Sequence, residues 1–335
     1  MAELEDPYDA PPLRWAILGA GGIAGAFAGA VTRHTRSQVV AVGSRDLQRA
    51  TRFAGQHDIP RAHGSYEALV ADPDIDAVYV ATPHSEHRDH ALLAIAAGRP
   101  VLVEKAFTRD AAAAQEVLAA AGAAGVFAME AMWTRFLPHM VALRELVAAG
   151  GIGEPIGLVA DHGQDMRHHP PSHRLHDPAL AGGALLDLGV YPVSFAHDLF
   201  GVPDRITALG SRTATGVDGQ VSLALGFGEV MQASLHTTLW ARTATTAVVF
   251  GTEGRVELAD RFYGPTSFAL VRADGDGWTY RDHVVDGLQY EAAEVARCVA
   301  AGAQQSSVMG WQATLDVMRT LDEARRQVGV VFPAR

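Results

Sequence analysis

The segment Trp15-Ala16-Ile17-Leu18-Gly19-Ala20-Gly21-Gly22-Ile23-Ala24 constrains this chain more than any other. A short apolar run is followed at once by glycines, and then Ile23, Phe27 and Val31 recur at helical spacing. The order is strand, tight turn, helix, which is the setting a dinucleotide-binding glycine motif requires. Gly19 permits the sharp turn, Gly21 lets the backbone approach a pyrophosphate, and Ala24 takes the third small position, where helix packs closely on strand. The helix N-terminus at Gly22-Ile23 offers unpaired N–H groups and the positive end of a dipole to phosphate. Taken alone, a Gly-x-Gly-x-x-Ala pattern is weak in a chain rich in Ala and Gly, so the flanks and the later segments have to support it.

A chain of 335 residues exceeds the size at which a single core stops growing, so two domains are expected. Hydrophobic residues make up 48% and charged residues 19%, an ordinary balance for a soluble globular enzyme. The net charge of −11 argues against nucleic acid or an anionic membrane surface as the main partner. One cysteine, Cys298, excludes an intramolecular disulfide framework and a cysteine-based zinc finger. Residues 1–12 are acidic and proline-containing, unlike a signal peptide, and read as a disordered leader. The most apolar run, residues 111–129, is interrupted by Gln115, Glu116, Gly122 and Gly125, and reads as a packed helix followed by a strand rather than a membrane span. These features predict a cytoplasmic protein.

After the glycine turn, Gln38-Val39-Val40-Ala41-Val42 is a second buried strand, and two βα units in succession predict a parallel sheet with right-handed crossovers. The end of this strand bears on the cofactor. An acid there binds the adenosine ribose hydroxyls of NAD, whereas an arginine accepts the extra phosphate of NADP. The chain has Ser44-Arg45, which favours NADP over NAD, although Arg45 also flanks a helix that Asp46 can cap. A third strand, Ala77 to Ala81, ends in Thr82-Pro83-His84-Ser85-Glu86-His87, and strand tips are where ligands bind in an open α/β sheet. His84 and His87 are therefore placed near the cofactor. His90 continues their spacing, but without a carboxylate cluster the series does not read as a metal site. Pro100-Val101-Leu102-Val103 runs straight into Glu104-Lys105, charges that a buried strand end tolerates only if they are paired or used. A structural ion pair and a functional site are both open there. One more strand, at residues 126–130, completes roughly six.

Taken together, the glycine turn, Thr82-Pro83 with His87, and Glu104-Lys105 resemble the glucose–fructose oxidoreductase and inositol dehydrogenase family. Met129 to Pro138, Arg174 to Pro192 and Met318 to Gly329 are similar to the branch that holds dimeric dihydrodiol dehydrogenase and NADP-dependent D-xylose dehydrogenase. The resemblance covers nearly all the chain after the leader. It implies an α/β protein with an N-terminal Rossmann domain on a parallel sheet, at residues 13–134. It also implies a C-terminal α+β domain with a large open, mostly antiparallel sheet, at residues 135–335, for substrate binding and oligomerisation. The second half carries its own signals. Helical patterns cover about 138–149 and 183–200, alternation is clearest at Val221, Leu223, Leu225 and Phe227, and further helices cover about 288–301 and 309–327. An open sheet needs cover on one face, and the resemblance implies a homodimer, or a dimer of dimers, through that sheet.

Asp187 and Tyr191 lie four apart in a helical segment and so share a face. A buried tyrosine bonded to a helix carboxylate would give the same pattern. The resemblance implies more: Lys105, Asp187 and Tyr191 fall on catalytic positions of that branch. A phenol with an ordinary pKa of ~10 is a poor base at neutral pH unless a nearby ammonium favours the phenolate. On this reading Tyr191 takes the hydroxyl proton, Lys105 holds the substrate oxygen and Asp187 orients them, with Lys105 as the alternative proton-transfer group. The cofactor would be held by Gly19, Gly21, Gly22, Ile23, Ala24, Ser44, Arg45, Thr82, Pro83, His84, His87, Glu104 and Lys105. Trp133 and Arg174 would meet the substrate, with interdomain packing as an equal alternative for Trp133. The histidine-rich stretch from Asp161 to His176 reads as a polar loop at the mouth of the substrate pocket, and no metal is assigned to it. Ala106 departs from the family's usual proline after the lysine. The expected activity is hydride transfer between NADP and a sugar-like polyol, aldose or diol. The alternatives are a glycosidase that cycles a tightly held NAD, or a cofactor-binding regulator without chemistry. Fold analogy does not choose the substrate.

Overall fold

The computed structural model describes residues 5–281 and 283–333. The described chain divides into two compact units. One holds the residues up to Trp133 together with Asp286–Leu315; the other holds Thr134–Val285 and the residues from Asp316 onward.

In the first unit six strands form a wholly parallel sheet: β1 (Arg14–Leu18), β2 (Gln38–Gly43), β3 (Arg61–His63), β4 (Ala77–Val80), β5 (Val101–Glu104) and β6 (Ala128–Ala131). The central strands are apolar at consecutive positions because both faces of the sheet are covered by helices. These helices are α1 (Gly22–His34), α2 (Leu47–Gln56), α3 (Tyr66–Val70), α4 (His87–Ala96) and α5 (Ala111–Ala124). Within this core Phe27 stacks on Tyr79, with ring centroids 3.9 Å apart, and meets Trp15 edge to face at 5.2 Å. The strand order is β3-β2-β1-β4-β5-β6, so the direction of winding reverses between β1 and β4 and opens a crevice at their carboxyl ends. The short edge strand β3 has no clear alternation in the sequence; only its parallel pairing with β2 defines it.

The second unit begins with α6 (Pro138–Ala148) and β7 (Pro155–Gly163). A π-helical turn, Leu185–Gly189, then runs directly into α7 (Val190–Phe200). The remaining strands are β8 (Arg205–Arg212), β9 (Asp218–Phe227), β10 (Met231–Thr238), β11 (Ala247–Gly251), β12 (Gly254–Leu258), β13 (Phe268–Arg272) and β14 (Gly277–Tyr280). They form an eight-stranded sheet in the order β14-β13-β12-β11-β7-β10-β9-β8, antiparallel except for the parallel β7–β10 pair. Alternation sorts its side chains: Leu158, Leu223, Leu225, Ala233, Leu235 and Val249 are buried on the face against which α7 packs. On the opposite face Val159, Leu209, Ser222, Ala224 and Ser234 are exposed. The stretch Pro178–Phe200 is long and apolar enough to cross a membrane, but 89% of its most apolar 18-residue window is buried inside the protein, as a core helix is.

Two expectations about boundaries change. Residues 5–12, assigned to a disordered leader, are held on the first unit. A 3-10 turn at Pro7–Asp9 is capped by Asp6, Arg36 donates to the Tyr8 and Asp9 carbonyls, and Arg297 pairs with Glu5 at 2.7 Å. Residues 1–4 lie outside the described residues. The chain also returns to the first unit late: α8 (Leu288–Ala300) packs against α1, so residues 286–315 do not belong with residues 135–285. Periodicity reveals the apolar stripe Leu288, Ala292, Val295 and Ala296 but not the surface that receives it. Among the helices of the second unit is the greater part of α9 (Trp311–Val328).

Candidate active site

The first unit gathers its candidate residues at the carboxyl ends of β1, β2, β4 and β5. Gly19 has φ +107°, and a β-carbon there would strike the Ala81 carbonyl, so only glycine lets the first turn pass the end of β4. Gly21 and Gly22 have open space where a side chain would stand, and Gly21 begins α1 with no side-chain cap on its N–H groups. Ile23 is exposed at the same ledge, while Ala24 is wholly buried. At the tip of β2 the Ser44 hydroxyl accepts from the Asp46 N–H (3.3 Å) and is buried. Arg45 is exposed. Arg49, four residues on, donates to the Ala20 carbonyl at 3.0 Å and so ties α2 to the glycine turn. Burial pushes the Tyr66 pKa up, with Arg45 and then Arg49 pulling it down, which marks a positively charged corner at this strand end. Arg49 was not singled out from the sequence; its i, i+4 spacing from Arg45 was the available signal.

The residues around Lys105 act largely through backbone atoms. Glu104 faces the core, where it accepts a short hydrogen bond from the Tyr79 hydroxyl and another from the Lys105 N–H at 3.2 Å. Glu130, at the end of β6, accepts from the Phe107 N–H at 3.1 Å. His84 Nε2 lies 3.3 Å from the Lys105 carbonyl. His87 is buried, with Nδ1 3.0 Å from the Ala106 carbonyl and Nε2 2.7 Å from the Thr82 carbonyl. Burial pushes its pKa down to about 4 although the carbonyls pull upward. His84, His87 and Glu104, expected beside the cofactor, thus brace the segment that presents Lys105. That peptide, Lys105–Ala106, is cis. Pro83 leads from β4 into the 3-10 turn at His84–Glu86, and the Thr82 hydroxyl lies 2.9 Å from His90 Nδ1. Glu291 on α8 is fully buried with no hydrogen bond to its carboxyl oxygens. Burial, then Glu104 and Glu130, raise its pKa well above the ordinary range. Trp133 opens the 3-10 turn after β6 and is partly buried.

In the second unit Asp187 lies in the π-helical turn and Tyr191 in the first turn of α7, both buried. Arg174, expected to meet the substrate, donates to Asp187 Oδ1 at 2.9 Å and fixes that carboxylate. The Tyr191 ring stacks on Tyr263 (4.4 Å between centroids), and Tyr263 stacks in turn on His162 (4.4 Å). Pro192 has no N–H to give the Leu188 carbonyl, and His162 Nδ1 reaches that carbonyl instead, at 3.3 Å. With Nδ1 donating, Nε2 is the acceptor, and the Gln164 amide nitrogen stands 3.2 Å from it. His162 therefore belongs to β7 and the helix support, not to the polar loop in which the sequence placed it. It was misassigned because β7 runs on through Asp161 and His162 to Gly163. Tyr263 was missed altogether. It lies in an irregular segment anchored by Thr134, whose hydroxyl donates to the Tyr263 carbonyl at 2.7 Å, and no local pattern announces it. The other loop histidines form a stack: His168, His169 and His173 have neighbouring centroids 4.1 Å apart. Among the described residues, no three His, Cys, Asp or Glu side chains are grouped to hold a metal ion.

A glycine ledge at a topological switch point has a usual occupant in open α/β sheets, a dinucleotide, and the second unit holds a braced acid and phenol of its own. The class so defined is a two-unit oxidoreductase with a dinucleotide cofactor. The comparisons agree. A model of an oxidoreductase family with an NAD-binding Rossmann fold matches residues 13–132, and the GFO/IDH/MocA C-terminal domain matches residues 140–257. The trans-1,2-dihydrobenzene-1,2-diol dehydrogenases of Bos taurus and Homo sapiens are each 38% identical to this chain, covering 96% of it and 98% of their own length. The chain belongs to the GFO/IDH/MocA family of NAD-binding oxidoreductases. Among solved structures, an aldose-aldose oxidoreductase from Caulobacter crescentus complexed with glycerol matches with a TM-score of 0.84 at 25% identity, over 95% of this chain and 97% of that one. A 3-ketoreductase from Actinomadura kijaniata in complex with NADP and TDP-benzene has the same fold, with a TM-score of 0.84 at 24% identity, over 94% of this chain and 98% of its own.

Proposed function

We propose that this protein is an NADP-dependent dehydrogenase or reductase acting on a CH–OH group of a diol, polyol or aldose, with Lys105, Asp187 and Tyr191 as its catalytic residues. The observation that carries the reading is the Asp187–Tyr191 pair: a buried carboxylate and phenol on one helix, the acid fixed by Arg174 and the phenol by stacking on Tyr263. Such bracing limits the conformations available to both groups before substrate arrives. The dihydrodiol dehydrogenases at 38% identity supply the diol, and the aldose-aldose oxidoreductase supplies the sugar-like alternative.

A nicotinamide dinucleotide fits the residues present. The open ledge of Gly21 and Gly22, Ile23 and Ala24 at the start of α1, and the uncapped N–H groups there suit a pyrophosphate. Ser44 and Arg45, with Arg49 behind them, suit the ribose phosphate of NADP better than the hydroxyls of NAD, since no acid ends β2. Thr82, Pro83 and Lys105 would complete the cofactor site, with His84, His87 and Glu104 bracing them, and Trp133 and Arg174 would border the substrate. When bound, the cofactor supplies the hydride acceptor or donor. The chain's own residues handle the proton: Tyr191, as the phenolate that the Lys105 ammonium favours, receives it at Oη from the substrate hydroxyl, Lys105 holds the same substrate oxygen, and Asp187 orients the group beside it. The exposed face of the eight-stranded sheet, with Val159 and Leu209 at its surface, supports a homodimer through that sheet. The lone cysteine, Cys298, a half-buried free thiol, suits the cytoplasm.

The test is turnover followed at the NADPH absorbance band with NADP and NAD, across diols, polyols and aldoses in one direction and dicarbonyls and keto sugars in the other. Substrate-dependent formation or consumption of free NADPH is expected. Turnover of glycosides with no net change in nicotinamide would replace this reading with the NAD-cycling glycosidase. Cofactor binding without turnover on any substrate would favour a regulator.

A further inference from the structure

We propose that Asp218, at the start of β9, is a positioning residue of the candidate active site, capping from another element the helix that carries Asp187 and Tyr191. The inference rests on the oxidoreductase reading and adds a residue and a control to it.

That helix lacks a cap of its own. Its first residue is Ala184, with no side-chain hydrogen bond, and it is preceded by Gly182 and Gly183, which have no side chain to offer. The unpaired N–H groups of a helix start need a partner when buried. Asp218 provides one: its Oδ2 accepts from the Leu185 N–H at 2.5 Å, and the Ala184 N–H is directed to the same carboxylate. Asp218 is itself only 1% exposed. Gly183 makes the approach possible, since it has φ +123° and a β-carbon there would overlap the Asp218 carboxylate. The same turn reaches the other side of the site. A β-carbon on Gly182 would overlap the Arg174 and Leu175 carbonyls, and the Gly183 N–H donates to the Leu175 carbonyl at 3.0 Å. Asp218 thus holds a junction from which Arg174 leads to Asp187 on one side and the helix leads to Asp187 and Tyr191 on the other.

The junction also responds to pH. Burial pushes the Asp218 pKa up to about 7, against the backbone N–H groups and Arg325 of α9, which is itself paired to Asp322 at 2.7 Å. The helix presents the Arg174–Asp187 pair on its own side, and β10 presents the neutral Thr237 hydroxyl, which donates to the His162 carbonyl at 3.0 Å. Above neutrality the charged carboxylate accepts the helix N–H groups and faces the positive helix end. Below neutrality the protonated acid is a weaker cap.

The experiment compares wild-type protein with Asp218→Ala and Asp218→Asn, measuring kcat and KM from pH 5.5 to 9, NADPH affinity by fluorescence, and hydrogen exchange at the Leu185 amide. Asp218→Ala is expected to lower kcat ~10–100-fold, the range for a sub-ångström to ångström misplacement, with NADPH affinity within twofold of wild type and faster Leu185 exchange. Asp218→Asn keeps an acceptor oxygen but cannot ionise. It is expected to recover most of kcat at pH 6 and to lose the ionisation near 7 from the kcat profile. Wild-type kcat in Asp218→Ala, or an unchanged ionisation in Asp218→Asn, overturns the proposal. If the alanine variant does not fold, the asparagine variant decides. If the wild-type protein turns over no substrate, the functional reading fails separately. The cap is then judged by Leu185 exchange, which should slow with pH through 7 beyond its intrinsic rate in wild type but not in Asp218→Asn; no difference overturns it.

Discussion

The first unit presents its candidate groups mainly through backbone: an open glycine ledge, the first N–H groups of α1, and a Lys105 segment held by His84, His87, Glu104 and Glu130 through main-chain atoms. The second unit presents its candidate groups as side chains. Asp187 and Tyr191 depend on Arg174, His162, Tyr263 and Asp218, which arrive from a loop, two strands and an irregular segment. A backbone-built site suits a ligand part that recurs across many proteins, because a strand–turn–helix reproduces it without particular side chains. A side-chain-built site can be altered one residue at a time, and it is the unit in which substrate preference would diverge.

The largest effect expected from this contrast is on turnover. Tyr191→Phe should lower kcat by ~10²–10⁴-fold while leaving NADPH affinity within a few-fold, and Lys105→Met should lower both. Steady-state kinetics beside fluorescence titration would separate the two, and near-normal turnover in both variants would remove the mechanism. Acid should next divide the units. Burial holds His87 in the first unit, and His139 and His197 in the second, down to about 4. A histidine whose folded pKa lies below its unfolded value of ~6.5 stabilises fully above that value, and the stabilisation is lost as pH falls toward about 4, because unfolding then takes up a proton. The loss approaches ~3 kcal/mol for each histidine. Each unit also holds one acid pushed upward, Glu291 and Asp218, so a contribution of the opposite sense is present in both. The second unit should therefore open first between pH 6.5 and 4, as read by hydrogen exchange resolved along the chain. Earlier opening of the β1–β6 sheet would break the comparison.

A smaller effect belongs to the corner of β2. Arg45→Ala should weaken NADP binding ~10–100-fold, the value of one or two charge-assisted bonds, with NAD affinity nearly unchanged. Equal losses for both cofactors would mean that Arg45 does not read the ribose phosphate. The smallest is His162→Phe, which keeps a ring against Tyr263 but takes the Nδ1 hydrogen bond from the Leu188 carbonyl. It should cost ~1–3 kcal/mol of stability and no more than about tenfold in kcat. An unaltered melting temperature would show that the carbonyl has found another donor.

Much of the first unit was legible because its signals are local. The turn at Gly19, the apolar runs of β1, β2, β4 and β5, and Lys105 at a strand end all follow from neighbours in sequence. The second sheet was legible as alternation, and Asp187 and Tyr191 as a helical pair within a family-like segment. Asp218, Tyr263 and Glu130 were not, and His162 was placed in the wrong element, since each matters only through a partner distant in the chain. Glu104 and His87 were found but expected to face a ligand, whereas they turn inward to Tyr79 and to two carbonyls.

By itself, then, the sequence determined a glycine-turn Rossmann sheet, a second alternating sheet, and the chemical types available at Lys105, Asp187 and Tyr191. Those features come from hydrophobic period, turn chemistry and strand ends, each written within a few residues. Only the tertiary structure decided that α8 returns to the first unit, that His162 takes the carbonyl Pro192 leaves free, and that Asp218 caps the helix behind Gly183. Burial creates those requirements, because a carbonyl or N–H withdrawn from water must find a partner, and the partner that reaches it is set by packing rather than by the local chain.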